Sequence, residues 1–139
     1  TGFQLTGQIL GGFLGDLFNK RFICVLCMFG HAMGLLLLAY AFNVWVVLGA
    51  TAVHGLAWGI RGPLMVALRA DYFGPSSFGT IMGFSSLIVM LGMSIGPIYA
   101  GYLADTYGNY QLAFSTLALA AVFGAFCFAL ARAPQTPLE

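Results

Sequence analysis

The chain has 139 residues, of which 60% are hydrophobic and 6% are charged, with a net charge of +1 and a mean hydropathy of +0.94. Soluble domains carry charge on about a quarter of their residues, so this composition excludes a water-soluble domain and indicates a membrane protein. The small net charge gives no reason to expect a nucleic-acid partner.

The hydrophobic segments predict an all-α, polytopic transmembrane helix bundle. A bilayer core of about 30 Å needs about 20 helical residues, and charges or turn residues divide the chain at such intervals. The predicted spans are 1–15, which is partial, then 22–42, 44–68, 80–104 and 111–131, before a tail at 132–139. Between the third and fourth spans, the Gly-Pro-Ser-Ser sequence at 74–77 predicts a polar loop over 69–79. Since the chain starts with Thr1 inside an apolar run, we expect a piece of a longer protein.

Lysine and arginine set the expected orientation in the membrane. Lys20 and Arg21 follow the first span, Arg69 follows the third, and Arg132 follows the fifth. The connections at 43 and 105–110 carry no basic residue. Because cytoplasmic loops are enriched in basic residues, the C-terminus is predicted to be cytoplasmic, in a plasma or inner membrane.

The sequence carries no pattern typical of an enzyme or of a bound cofactor. Cys24, Cys27 and Cys127 lie in apolar runs and are expected to be buried thiols. The C-x-x-C of Cys24 and Cys27 has no second pair beside it, so no metal site is expected. No catalytic triad or phosphate-binding loop is visible, and we expect a protein that is not an enzyme.

The sequence GGFLGDLFNKR at 11–21 resembles the loop motif of the major facilitator superfamily, G-x-L-[G/A]-D-[R/K]-x-G-[R/K]-[R/K]. The residues that match are Gly12, Leu14, Gly15, Asp16, Lys20 and Arg21. Leu17 and Asn19 depart from the motif, at positions where the family usually has a basic residue and a glycine. The sequence GFLGD at 12–16 recurs as GYLAD at 101–105, three spans later, as an inverted three-helix repeat predicts.

Further along the chain, GMSIGPIYAG at 92–101 is similar to the G-x-x-x-G-P pattern of helices five and eleven in that family. The sequences ADYFG and FGTIMG look most like the branch of monocarboxylate and oxalate/formate carriers. The resemblance implies a partial C-terminal six-helix lobe, whose partner is an N-terminal lobe of the same chain. The residues expected to bend helices or pack them closely are Gly59, Pro63, Gly92, Gly96 and Pro97.

Arg61 lies near the centre of the third predicted span, where a charge costs about 2.5–3.5 kcal/mol on insertion scales. His54, Trp58 and Arg61 are spaced i, i+4 and i+7, so they share one helix face. By the resemblance this is helix ten, which lines the central cavity of the family. We therefore expect these three residues along the substrate path, the alternative for Arg61 being a side chain that reaches the cytoplasmic interface. His31, in the second span, is expected to be structural.

Asp16 is expected to close the cytoplasmic side, because it can accept hydrogen bonds from a neighbouring helix or pair with a basic side chain. By the resemblance, that partner belongs largely to the other lobe. The alternative is a simple solvated turn.

Together these features predict part of a secondary active transporter that moves a small solute by alternating access. A guanidinium binds carboxylate through two parallel hydrogen bonds, so Arg61 favours an organic anion. The alternative is a transporter-like membrane receptor or regulatory subunit that binds a ligand without carrying it.

Overall fold

A computed structural model describes residues 2–132, and four helices account for nearly all of them. These helices are α1 (Gly2–Leu17), α2 (Lys20–Ala39), α3 (Val44–Tyr107) and α4 (Gln111–Leu130). Three of them, α2, α3 and α4, are long and apolar enough to cross a membrane. The predicted all-α membrane helix bundle is confirmed, while Thr1 and the predicted tail from 133 onward lie outside the described residues.

Helix α3 has 64 residues, about 96 Å at 1.5 Å per residue, which is about three times the thickness of a bilayer core. Within α3 the backbone leaves helical geometry at Gly74 alone, with φ 67° and ψ 176°. This region of φ and ψ is open essentially only to glycine. Pro75 follows directly, and its fixed φ suits the first position of a new helix. The structure therefore replaces the predicted loop at 69–79 by one non-helical residue.

The two segments of α3, 44–73 and 75–107, run side by side in opposite directions. Nearest the break, the Nη1 atom of Arg69 lies 3.3 Å from the Sδ atom of Met82. Farther from it, Arg61 and Met90 line one cavity. Gly74 thus joins two antiparallel segments, each of about 30 residues and long enough to span a bilayer.

Asparagine side chains cap the first turns of α2 and α3. The Oδ1 atom of Asn19 accepts hydrogen bonds from the backbone N–H groups of Arg21 and Phe22, at 3.0 and 3.3 Å. The Oδ1 atom of Asn43 accepts one from Val46 at 2.9 Å. Asn19 stands where the loop motif usually has glycine, and here it begins the helix that follows.

Helices α1 and α3 approach each other through glycine. A Cβ atom on Gly59 would meet the carbonyl oxygen of Gln4 and lie 2.8 Å from the Cα atom of Gly7. A Cβ atom on Gly11 would lie 2.6 Å from the carbonyl oxygen of Ile60. Such distances leave no room for a side chain, so these glycines set the separation of the two helices.

Small side chains also fill the interfaces of α2. One buried cluster joins α2 to the first segment of α3 and consists of Ile23, Cys24, Cys27, Ala57 and Leu64. A second joins α2 to α4 through Ala32, Ala118 and Ala121. Because Ala and Cys are small, the helix backbones pack closely here without a large hydrophobic core.

Candidate functional site

A cavity of about 690 Å³ lies between α2, α4 and the two segments of α3. Its wall is mostly apolar, and His54, Trp58 and Arg61 line it from a single face of α3. A cavity of this volume is in the range that holds a small molecule. The three residues predicted along the substrate path are therefore brought together on one cavity wall.

Within this wall the guanidinium of Arg61 is placed by Trp58. The Cζ atom of Arg61 lies 5.3 Å from the centre of the indole ring, at cation–π distance. The Nε atom of Arg61 is buried and has no hydrogen-bond partner among the described residues. The Nε–H group of Arg61 is thus a buried donor that the described part of the chain leaves without a partner.

His31 joins the same group from α2, although its sequence context predicted only a structural role. Its Nδ1 atom lies 3.4 Å from the Nδ1 atom of His54, and its ring stands edge-on to that of Trp58 with centroids 5.8 Å apart. His31 is 5% exposed, and its Nε2 atom is buried without a partner among the described residues. A signal in the sequence could have found it, because His31 and His54 lie about equally far from the α2–α3 turn, and so at similar depth in the two antiparallel helices.

The opposite wall belongs to the second segment of α3. Gly92, Gly96 and Pro97 line the cavity. Within the described residues, nothing lies within 4 Å of a Cβ atom placed on Gly92 or Gly96. Within the described residues these glycines border open cavity space, and the close helix packing expected of them stays a prediction. Pro63 lies within helical backbone, and the bend expected there stays a prediction.

The loop motif lies at the C-terminal end of α1, and its basic residues contact the ends of three helices, α2, α3 and α4. The Nζ atom of Lys20 lies 2.6 Å from the Oδ2 atom of Asp71 in the first segment of α3. Arg21 donates from Nη1 to the carbonyl oxygen of Ala131, just after α4, at 2.7 Å. The hydroxyl of Tyr72 donates to the same oxygen at 3.2 Å. Lys20 and Arg21 therefore hold the ends of α2, α3 and α4 together within the lobe. Asp71 takes part as the partner of Lys20, which its sequence context did not predict.

The glycines of the motif differ in their contacts. A Cβ atom on Gly15 would meet the side chain of Leu64 at 2.6 Å. Nothing described lies within 4 Å of a Cβ atom on Gly12, so close packing falls to its neighbour Gly11 instead. The proposed pairing of Asp16 with another lobe remains a prediction.

Comparison with known proteins gives a consistent family. The family profile of the Major Facilitator Superfamily matches residues 1–139. Multidrug resistance protein B homolog of Mycobacterium tuberculosis is 30% identical over 80% of the chain and 22% of its own length. The triacylglyceride transporter of Mycolicibacterium hassiacum is 26% identical over 79% of the chain and 22% of its length. Benzoate transport protein of Acinetobacter baylyi is 28% identical over 86% of the chain and 26% of its length.

No solved structure matches significantly. The chain spans about a quarter of the length of these curated relatives, from 22% to 26%. The match to the family covers the loop motif, the cavity helices and the helix that follows them. The chain belongs to the major facilitator superfamily.

Proposed function

We propose that the full-length protein is a secondary transporter that moves a small solute across a membrane by alternating access. In this proposal the chain supplies most of a C-terminal six-helix lobe, and an N-terminal lobe of the same protein completes the path. The support is family membership together with a cavity whose polar residues lie in apolar, membrane-length helices.

The solute of this proposal is an organic anion, most simply a carboxylate. The observation that carries it is the position of Arg61 on the wall of a largely apolar cavity, with no carboxylate within ion-pair distance among the described residues. The guanidinium lies over Trp58, which precedes it in α3. An apolar wall with one cation fits an amphipathic anion such as an aromatic carboxylate.

The names of the relatives are compatible with such a solute. One is named as a benzoate transport protein, another as a multidrug resistance protein B homolog, and a third as a triacylglyceride transporter. An aromatic carboxylate shares its ring and its anionic group with the benzoate of the first name. The branch of monocarboxylate and oxalate/formate carriers, proposed from the sequence, agrees with the carboxylate.

Flux into vesicles tests the proposal. The full-length protein is placed in liposomes loaded with unlabelled p-aminohippurate, an aromatic carboxylate that crosses lipid slowly. Labelled p-aminohippurate is added outside, and its entry in exchange for the unlabelled compound (counterflow) is measured. We expect entry at least tenfold above protein-free liposomes. Binding without flux would favour the receptor alternative. If the protein neither bound nor transported the compound, the anion would be rejected as its solute.

The end of the molecule that carries Lys20, Arg21 and Asp71 is proposed to face the cytoplasm, in a plasma or inner membrane. Support for Arg21 and Arg132 lying on the same side of the membrane comes from the hydrogen bond of Arg21 to Ala131, the residue before Arg132. We expect alkaline phosphatase to be inactive when fused after Arg132 and active when inserted at Gly108, in a bacterial host. The reverse pattern would invert the orientation.

A further inference from the structure

Two histidines from different helices meet beside the cavity, and the binding of an anion by Arg61 does not require them. The Nδ1 atoms of His31 and His54 are 3.4 Å apart, and the two rings stand edge-on with centroids 4.6 Å apart. Both histidines line the cavity, His31 being buried and His54 half-buried. The pair therefore borders the space where a solute would lie.

The approach of two Nδ1 atoms restricts the protons that the pair can hold. A neutral imidazole has one N–H and one bare nitrogen, so the two Nδ1 atoms can bond only if one is protonated and the other is not. The pair can accept one further proton on a free ring nitrogen and keep this bond. A second added proton would place two N–H groups and two positive charges face to face. The geometry thus favours a site for a single added proton.

The groups around the pair determine when that proton is held. Arg61 lies on the same face of α3 and repels a positive pair through the same cavity. Cys24 and Cys27 lie along α2, and Tyr110 lines the cavity at the start of α4. Among the described residues that line the cavity, none carries a carboxylate, and the second segment of α3 contributes no titratable side chain to it.

We propose that His31 and His54 form one proton-binding site that couples uptake of the anion to uptake of a proton. This inference rests on the proposed function. An anion on Arg61 offsets the positive charge that opposes protonation of the pair, and by linkage the protonated pair strengthens binding of the anion. The proton comes from water on one side and returns to water on the other, so one anion and one proton cross together without net charge.

A measurement without solute tests the proton site itself. Trp58 contacts His31, and a protonated imidazole quenches indole fluorescence. In full-length protein whose other tryptophans, Trp45 among them, are replaced by Phe, we expect one quenching step as the pH falls. The step should vanish in His31→Gln and shift by at least half a pH unit in His54→Gln. Ser85→Ala, which removes a hydroxyl bonded to the backbone of its own helix, should leave it unchanged. If both histidine variants showed the same fluorescence titration as the wild type, the proton site would be overturned.

Transport then tests the coupling. In the wild type, a proton gradient directed inward should drive at least fivefold accumulation of p-aminohippurate. In His31→Gln/His54→Gln, accumulation should no longer respond to the proton gradient, whatever rate of counterflow remains. Counterflow without accumulation in the wild type would overturn the coupling. Absence of wild-type counterflow would reject the anion of the proposed function instead, and the fluorescence titration would still decide whether the two histidines bind a proton.

Discussion

At the scale of single residues, the position of Arg61 has an energetic consequence. A charge near the centre of a membrane helix costs about 2.5–3.5 kcal/mol on insertion scales, and a cation–π contact such as that with Trp58 returns about 0.5–2 kcal/mol. Among the described residues, no carboxylate lies within ion-pair distance of Arg61. An anion in the cavity would supply the missing interaction.

The sequence predicted part of this group of residues. The spacing of His54, Trp58 and Arg61 is a property of one helix, so it could be read from the chain alone. The contact between His31 and His54 depends on how two helices pack. Their similar distance from the α2–α3 turn indicates a similar depth, but it does not show that the two rings face each other. Asp71 was missed for a related reason, because its partner Lys20 lies on another helix.

At the scale of helices, the crossing of α1 and α3 makes a prediction with a matched control in the adjacent residue. Gly11→Ala should lower the stability of the full-length protein by about 1–3 kcal/mol, because its Cβ atom would overlap the carbonyl oxygen of Ile60. Among the described residues nothing lies within 4 Å of a Cβ atom on Gly12. Gly12→Ala should therefore be neutral or stabilising by up to about 1 kcal/mol, since Ala favours helix over Gly.

The free energy of unfolding of both variants is measured in mixed micelles with an increasing fraction of denaturing detergent. Equal stabilities of Gly11→Ala and Gly12→Ala would show that the α1–α3 contact is not as close as described.

The break in α3 shows where reasoning from local sequence reaches its limit. Gly74 and Pro75 were correctly identified as a turn signal, but the polar residues around them suggested a loop of several residues. Those residues instead complete the ends of two helices, since Asp71 and Tyr72 contact Lys20 and the carbonyl of Ala131 from helical positions. Tertiary contacts, which local propensity does not contain, extend the helix to the glycine.

At the scale of the whole molecule, packing is uneven. The first segment of α3 packs against α1 and α2, whereas the second segment keeps most of its large apolar side chains exposed and faces the cavity. Composition and helix length were sufficient to predict an all-α membrane bundle. The width of the cavity depends on the separation of helices, which no pattern in a single chain specifies.

The central claim is that Arg61 binds the anionic group of the solute. Calorimetric titration of benzoate into the purified full-length protein measures this directly, with Arg69→Gln as the matched control on the same helix. A hydrogen bond to a charged group contributes about 1.5–3 kcal/mol, so Arg61→Gln should weaken binding by roughly 10- to 100-fold. Arg69→Gln should change it by less than about twofold. Equal affinity of the wild type and Arg61→Gln would contradict the claim.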